Sequence, residues 1–340
     1  MLNLAPPPLP AELRATSPPE MRGLRRDHVR LMVVDRARRK ITHSRFDRIG
    51  GFLRDRDLLV VNSSRTLPAA LPATRADGTT IQIRPCVRRP GHWDALAVEP
   101  EPPFANVALR AGETLRIGQV MTARVAGRRP DIPLLWRLEV SRDGLAEMEA
   151  LGEPIRYSYV PQPVALDFYQ NVYAGRAGSA EMPSAGRPFS HQLLGSLRGS
   201  GVGTAEILLH TGLSSFQDDA FDAEHHLYEE WFEIDATAAA AINQAPRVVA
   251  VGTTVVRALE SAAAAHGKIH PVFDWTSLAI RAGTPIRAVD ALITGLHEPT
   301  ASHLDLLRAF VAEPLLMRAY EDAIENRYLW HEFGDSMLIV

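Results

Sequence analysis

The chain has 340 residues, 46% hydrophobic and 23% charged, with a formal net charge of −3. That balance describes a globular protein of about two domains and excludes a global basic field that would bind nucleic acid through bulk charge. A lone cysteine, Cys86, excludes a disulfide framework and a cysteine zinc cluster and suits a reducing cytoplasm.

The opening stretch MLNLAPPPLPAELRATSPPEMRG is Pro-rich and lacks the basic and apolar regions of a signal peptide. No apolar run reaches the ~20 residues that span a bilayer, so a cytoplasmic protein without a membrane partner is expected. HVRLMVVD (His28 to Asp35) and DLLVVN (Asp57 to Asn62) read as buried strands, and SRFDRIGGFLRDRD between them as a short helix. From about Pro72 to Gly152 short runs such as TTIQIRPCV, HWDALAVEP, ETLRIG and PLLWRLEV alternate with Gly and Pro turns, the pattern of a small β-barrel or sandwich. Strands AEILLH, RVVAVG and VDALIT then alternate with helices DATAAAAINQA and TTVVRALESAAAAHG, and two further helices follow, SHLDLLRAFV and EPLLMRAYEDAIENRY. The expected fold is mixed α/β: a core of residues 1–71 and 153–340 from both ends of the chain, with a β-barrel domain of residues 72–152 inserted.

In α/β sheets ligands gather beyond the carboxyl ends of strands, and four such ends here are polar. VVNSSR ends at Asn62 with Ser63, Ser64 and Arg65 after it. ILLHTGLSSF ends at His210, with Thr211, Gly212, Ser214 and Ser215 following, and LITGLHEP ends at Thr294 before Gly295 and His297. The fourth, AVGTTVVRALES, breaks at Gly252 and resumes as a helix carrying Thr253, Thr254 and Arg257. A strand–Gly–hydroxyl–helix junction aims backbone N–H groups at an anionic or polar ligand, although on local sequence alone a plain turn with Thr253 or Thr254 as N-cap is the favoured reading. His225 and Glu229 have the i, i+4 spacing of two metal ligands, but no H-E-x-x-H or Cys/His set joins them, so no metal is expected. GxGxxG and GxxxxGK[ST] are absent, which disfavours a dinucleotide site and a P-loop.

Taken in order, LPAELRATSPPEMRGLRRDHVRLMVVDR, RDLLVVNSSRTLPAAL, YQNVYA, MPSAGRPFS, ILLHTGLSSFQ, EWFEI, AVGTTVVRALES, VDALITGLHEP and FGDSMLI resemble the S-adenosylmethionine:tRNA ribosyltransferase-isomerase family of queuosine biosynthesis. The resemblance covers nearly the whole chain and implies an α/β core interrupted by a small β-barrel. It also implies an enzyme that transfers and isomerises the ribosyl part of S-adenosylmethionine onto a 7-aminomethyl-7-deazaguanine base in tRNA, releasing adenine and methionine. No cofactor is implied beyond S-adenosylmethionine as substrate, and a monomer or weak oligomer is expected. Such chemistry needs a base at the ribose carbon next to the sulfonium, a proton or hydrogen bonds for departing adenine, and N–H groups or an Arg for the methionine carboxylate. By resemblance, the catalytic candidates are His210, His297, His225 and Glu230. The substrate-binding candidates are Asn62, Arg65, Ser184, Gly186, Gly212, Gly252, Thr253, Thr254, Arg257 and Asp335.

The chain also departs from the family pattern. Arg187-Pro188 stand where the loop carries Leu-His, Tyr228 where a second His is expected, Ser214-Ser215 in place of Gly-Thr, and Gly295 where an Asn follows the strand. Two alternatives therefore stand beside the family reaction: a divergent paralogue using S-adenosylmethionine on a small-molecule acceptor, and a non-catalytic relative that binds a nucleoside or RNA. RRDHVR, DRARRK and IRPCVRR supply either a basic approach for tRNA or ordinary solvated faces.

Overall fold

A computed structural model describes residues 9–222, 224, 227–264, 267–297 and 302–340. Strands β1 (Arg30–Asp35) and β2 (Lys40–Arg45) form a hairpin, and β3 (Asp57–Asn62) leads into the short β4 (Ser64–Thr66). The barrel strands follow: β5 (Leu71–Thr74), β6 (Thr80–Arg89), β7 (His92–Val98), β8 (Thr114–Ile117), β9 (Met121–Arg128) and β10 (Trp136–Val140). Helix α1 (Leu145–Leu151), strand β11 (Arg176–Ser179) and helix α2 (His191–Gly199) bring the chain back to β12 (Gly203–Leu209). Beyond lie α3 (Asp219–Asp222), β13 (Glu230–Ile234), α4 (Ala236–Gln244), β14 (Arg247–Val251), α5 (Thr253–Ala263) and β15 (Val272–Thr276). Strand β16 (Ala291–Gly295), helices α6 (Ser302–Phe310) and α7 (Glu313–Glu325) and strand β17 (Ser336–Ile339) complete the described elements.

Nine of these strands form one sheet in the order β15-β13-β12-β3-β14-β16-β17-β1-β2. β12, β3, β14 and β16 run parallel, while β13 and β17 run antiparallel to their neighbours β12 and β16. The central strands are apolar at consecutive positions because both faces are covered. Leu58 and Val60 of β3 face one core with Val255, Val256 and Leu259 of α5. Leu59 and Val61 face another with Leu193 and Leu197 of α2 and Phe46, Ile49 and Phe189. The result is three layers. β5 to β10 close into a six-stranded barrel with its own core around Trp93, Leu115 and Leu138. On β9 and β10 burial alternates strictly, as expected when one strand face fills a barrel and the other meets solvent. The fold is therefore mixed α/β with a closed β-barrel.

Two local expectations change. The SRFDRIGGFLRDRD segment is not an α-helix but seven residues of 3-10 turns, Phe46–Phe52, where the Gly50-Gly51 pair disfavours a regular helix. The N-cap of α5 is neither threonine but Gly252, at φ +97° and without a side-chain cap, so both hydroxyls are left for other partners.

Candidate active site

β12 and β14 pair with β3 on opposite sides, so the sequence reverses its direction of growth across the sheet at β3. Their diverging connections leave a crevice at the carboxyl ends, the usual ligand position in such sheets. A cavity of about 250 Å³ occupies it. Gly252, Thr253, Thr254 and Arg257 line it from the β14–α5 junction. Loops after β11 and β12 add Glu181, Ser184, Thr211 and Ser214. The end of β16, the turn beyond it and the start of α6 add Thr294, His297 and His303. The first turn of α5 thus presents free N–H groups and the positive end of its dipole to the cavity.

Glu230, at the start of β13, reaches the same space between two donors. Its Oε1 accepts from the Gly212 N–H at 2.8 Å, and its Oε2 accepts from the Arg257 guanidinium. Arg257 also donates to the Leu278 and Thr276 carbonyls at 3.0 and 3.4 Å, which fixes its plane. Behind them Asn62 pairs with both the N–H and the C=O of Leu209 at 2.9 and 2.8 Å and accepts from the Ser64 N–H. Its amide also reaches Thr254 Oγ1 at 3.5 Å. Asn62 is therefore a brace between strand ends and does not line the cavity. His297 lines it, its ring stacked 3.8 Å from that of His303, and His303 Nε2 meets Thr294 Oγ1 at 2.7 Å. Burial and the neighbouring His297 hold the His303 imidazole well below its ordinary value, so it is neutral.

The other candidates sit elsewhere. His210 packs under Gly178 and bonds Ser64 Oγ at 2.8 Å, away from the cavity lining; burial, Arg88 and Arg176 push its pKa down to about 4. Arg65 pairs with Glu149 near the surface at 3.1 Å. Gly186 lies buried in a single turn, Ser184–Gly186, whose Ser184 does line the cavity. Asp335 is buried and accepts from the Arg30 and Leu329 N–H groups at 2.7 and 2.8 Å, tying the segment before β17 to β1. His225 lies outside the described residues. Glu229, its notional metal partner, bonds Arg89 and Arg129, and among the described residues no group of three or more His, Cys, Asp or Glu could hold a metal ion.

The departing loop has a physical explanation of its own. Arg187 is buried at 2% exposure, donating to Glu20 at 2.8 Å and to the Phe168 carbonyl at 3.0 Å, so it belongs to the packing and not to the cavity. Tyr228 lines the cavity with its hydroxyl locked to the Leu213 backbone. Of the basic stretches, Arg25, Arg26, Arg38 and Arg89 all pair with acidic neighbours. Sequence reasoning missed Glu181, His303, His331 and Glu332 on the cavity wall. Only their convergence in space marks them, since none sits at the end of a strand that the sequence pattern revealed.

The queuosine biosynthesis protein family model matches residues 8–339. The chain is similar to S-adenosylmethionine:tRNA ribosyltransferase-isomerase of Carboxydothermus hydrogenoformans, 35% identical over 98% of this chain and 97% of that one. It is 37% identical to the protein of the same name from Moorella thermoacetica, over 93% and 94% of the two chains. The crystal structure of the S-adenosylmethionine tRNA ribosyltransferase of Thermotoga maritima is similar at a TM-score of 0.55 and 28% identity, covering 99% of each chain. Likeness over the entire length, barrel and core alike, means that the chain belongs to the queuosine biosynthesis protein family.

Proposed function

We propose that this chain transfers and isomerises the ribosyl moiety of S-adenosylmethionine onto a 7-aminomethyl-7-deazaguanine base in tRNA, releasing adenine and methionine. The observation that carries the reading is the α5 end with Arg257 beside it, opening into a cavity that also holds Glu230 and His297, in a chain of this family. The N–H groups of Thr253 and Thr254 and the Arg257 guanidinium receive the methionine carboxylate. Glu230, oriented by Gly212 and Arg257, accepts ribose hydroxyls. His297, held against a neutral His303, takes the proton acidified by the sulfonium. His210 and Asn62 support this wall from behind.

The same reading takes residues 72–152 as a barrel domain inserted into a core of 1–71 and 153–340, and the protein as a cytoplasmic monomer or weak oligomer that needs no metal. Among the described residues no helix is long and apolar enough to cross a membrane. One observation favours the second reading, a paralogue with a small-molecule acceptor: the 183–189 loop gives the cavity Ser184 and Ala185 but no imidazole, Arg187 being turned to Glu20. Titration with S-adenosylmethionine, followed by assay for free adenine with and without tRNA carrying the deazaguanine precursor, separates the two. Adenine release that requires that tRNA supports the family reaction. Binding without tRNA-dependent release supports the paralogue, and no binding sinks both.

A further inference from the structure

The roles given above leave one polar stretch of the cavity wall unused. Glu181, just beyond β11, and Glu332, just before β17, both line the cavity, with Tyr159 and His331 beside them. Glu181 is held in place: Tyr157 donates its hydroxyl proton to Oε1, and the Ser214 N–H reaches both carboxyl oxygens at 3.2 Å. Glu332 is not held this way, because its Oε2 is shut off from solvent and meets no partner within the protein. Buried oxygens of this kind are rare in folded chains and call for an explanation, most simply a partner that arrives with the ligand. The adjoining Tyr159 and His331 rings stack at 4.4 Å and 17°, a flat aromatic surface next to the carboxyl.

The charge that acts most on Glu332 is another carboxyl, Glu181, while His331 precedes it on the cavity wall and Arg22 donates to the adjoining Phe333 carbonyl at 2.8 Å. Glu181 faces it from the segment after β11, and Tyr157, Tyr159 and Tyr169 sense its charge. In a small adjoining space lie Arg26, Arg187 and Asp335, but both arginines pair with Glu20 and Asp335 accepts from backbone N–H groups. Burial and Glu181 together hold the Glu332 carboxyl well above the usual carboxylate range, and burial raises Glu181 as well. A neutral acid beside flat rings suits a flat, uncharged base, whereas the α5 end with Arg257 suits a carboxylate.

We propose that Glu332 is the proton donor to the departing adenine. The inference rests on the reaction proposed above. The bond between ribose C1′ and adenine breaks with its electron pair passing to the base, and the positive charge left on C1′, shared with the ring oxygen, is quenched by bonding to the acceptor amine, which gives up a proton to solvent. The Glu332 O–H gives its proton to a ring nitrogen, so neutral adenine leaves and Glu332 becomes a carboxylate, taking a proton from solvent before the next turnover.

Glu332→Gln keeps the shape and a hydrogen-bond donor but has no proton to transfer. S-Adenosylmethionine binding should be little changed by calorimetry, while adenine release with precursor tRNA falls by roughly 10²–10⁴-fold, the usual worth of a general acid. In the wild type the rate should fall on the alkaline side as Glu332 ionises, and that limb should vanish in the variant. A donor analogue whose base leaves without protonation should be nearly insensitive to the change. Weakened donor binding, a lowered melting temperature and equal slowing of the analogue would mark a structural role and overturn the proposal. So would a wild-type profile without the alkaline limb, which requires no variant at all. If the wild type releases adenine and Glu332→Gln does so equally fast, only the assignment of Glu332 falls. If the wild type binds the donor and releases no adenine with the precursor tRNA, the reaction falls and this proposal with it.

Discussion

Arg257 and Glu230 are mostly buried partners, their side chains 13% and 8% exposed, so removing one leaves the other charged in a poorly solvated place. Arg257→Ala is expected to cost about 3–5 kcal/mol in stability and to weaken S-adenosylmethionine binding at least tenfold. Adding Glu230→Ala should recover part of the stability and none of the binding; denaturant melts and calorimetry of the three variants check this. His210 makes a pH prediction. The unfolded chain protonates this histidine near its ordinary 6.5, the folded chain only at about 4. The unfolded state therefore binds more protons between those values, so stability falls as pH drops from about 6.5 to about 4 and is indifferent to this group outside that window. Urea unfolding across pH 4–7 should show this slope in the wild type and a shallower one in His210→Gln; equal slopes would refute it. Gly252, Thr253, Thr254 and Arg257 were legible in the sequence because backbone geometry and local spacing dictate such a junction. Glu181 and Glu332 were not, since they are 151 positions apart (332 − 181) and meet only through the fold.

The β14–α5 junction is also the element most sensitive to a single methyl group. At φ +97° Gly252 adopts a conformation that L side chains rarely take, and an added Cβ would stand 3.4 Å from the Ala185 Cβ, so crowding is mild and the strain is in the backbone. Gly252→Ala should cost about 1–3 kcal/mol and swing the first N–H groups of α5 away from the cavity. Donor affinity should therefore drop while the far-ultraviolet circular dichroism of the folded protein stays unchanged. β3, β14 and β16 could be read from their sequences because both faces are apolar. β13, β15 and β17 could not: β13 and the edge strand β15 carry mixed, half-exposed residues, and four-residue β17 is too short to show a period. The 3-10 segment at Phe46–Phe52 fooled the pattern because Phe46 and Ile49 are spaced as on a helix and are indeed buried.

At the scale of the molecule, the barrel and the sheet are clasped by Arg129. Its guanidinium donates to Asp94 and Asp131 within the barrel at 2.9 Å and to Glu229, at the entrance to β13, at 2.7 Å. With the Arg129 side chain only 8% exposed, Arg129→Ala leaves the buried Asp94 with only His92 at 3.2 Å and Arg137 at 3.9 Å and should lower the melting temperature by several degrees. Arg124→Ala, which breaks an exposed pair with Glu139, should change stability by less than about 1 kcal/mol. Limited proteolysis of the first variant should cut the barrel strands β5 to β10 before the large sheet; a pattern like the wild type would show that the clasp is dispensable. The two-part plan was legible because turn-rich β composition gives way abruptly to α/β alternation, whereas the strand order was not, since β1 and β17 pair across some 300 residues. That pairing has a consequence during synthesis. The β1–β2 hairpin emerges from the ribosome first, yet it joins the large sheet through β17, whose residues 336–339 are made some 290 residues later. Until β17 is made, the apolar faces of Leu31 to Val34 therefore wait without their final neighbour, so one of the longest-range pairings of the sheet is also among the last that synthesis permits.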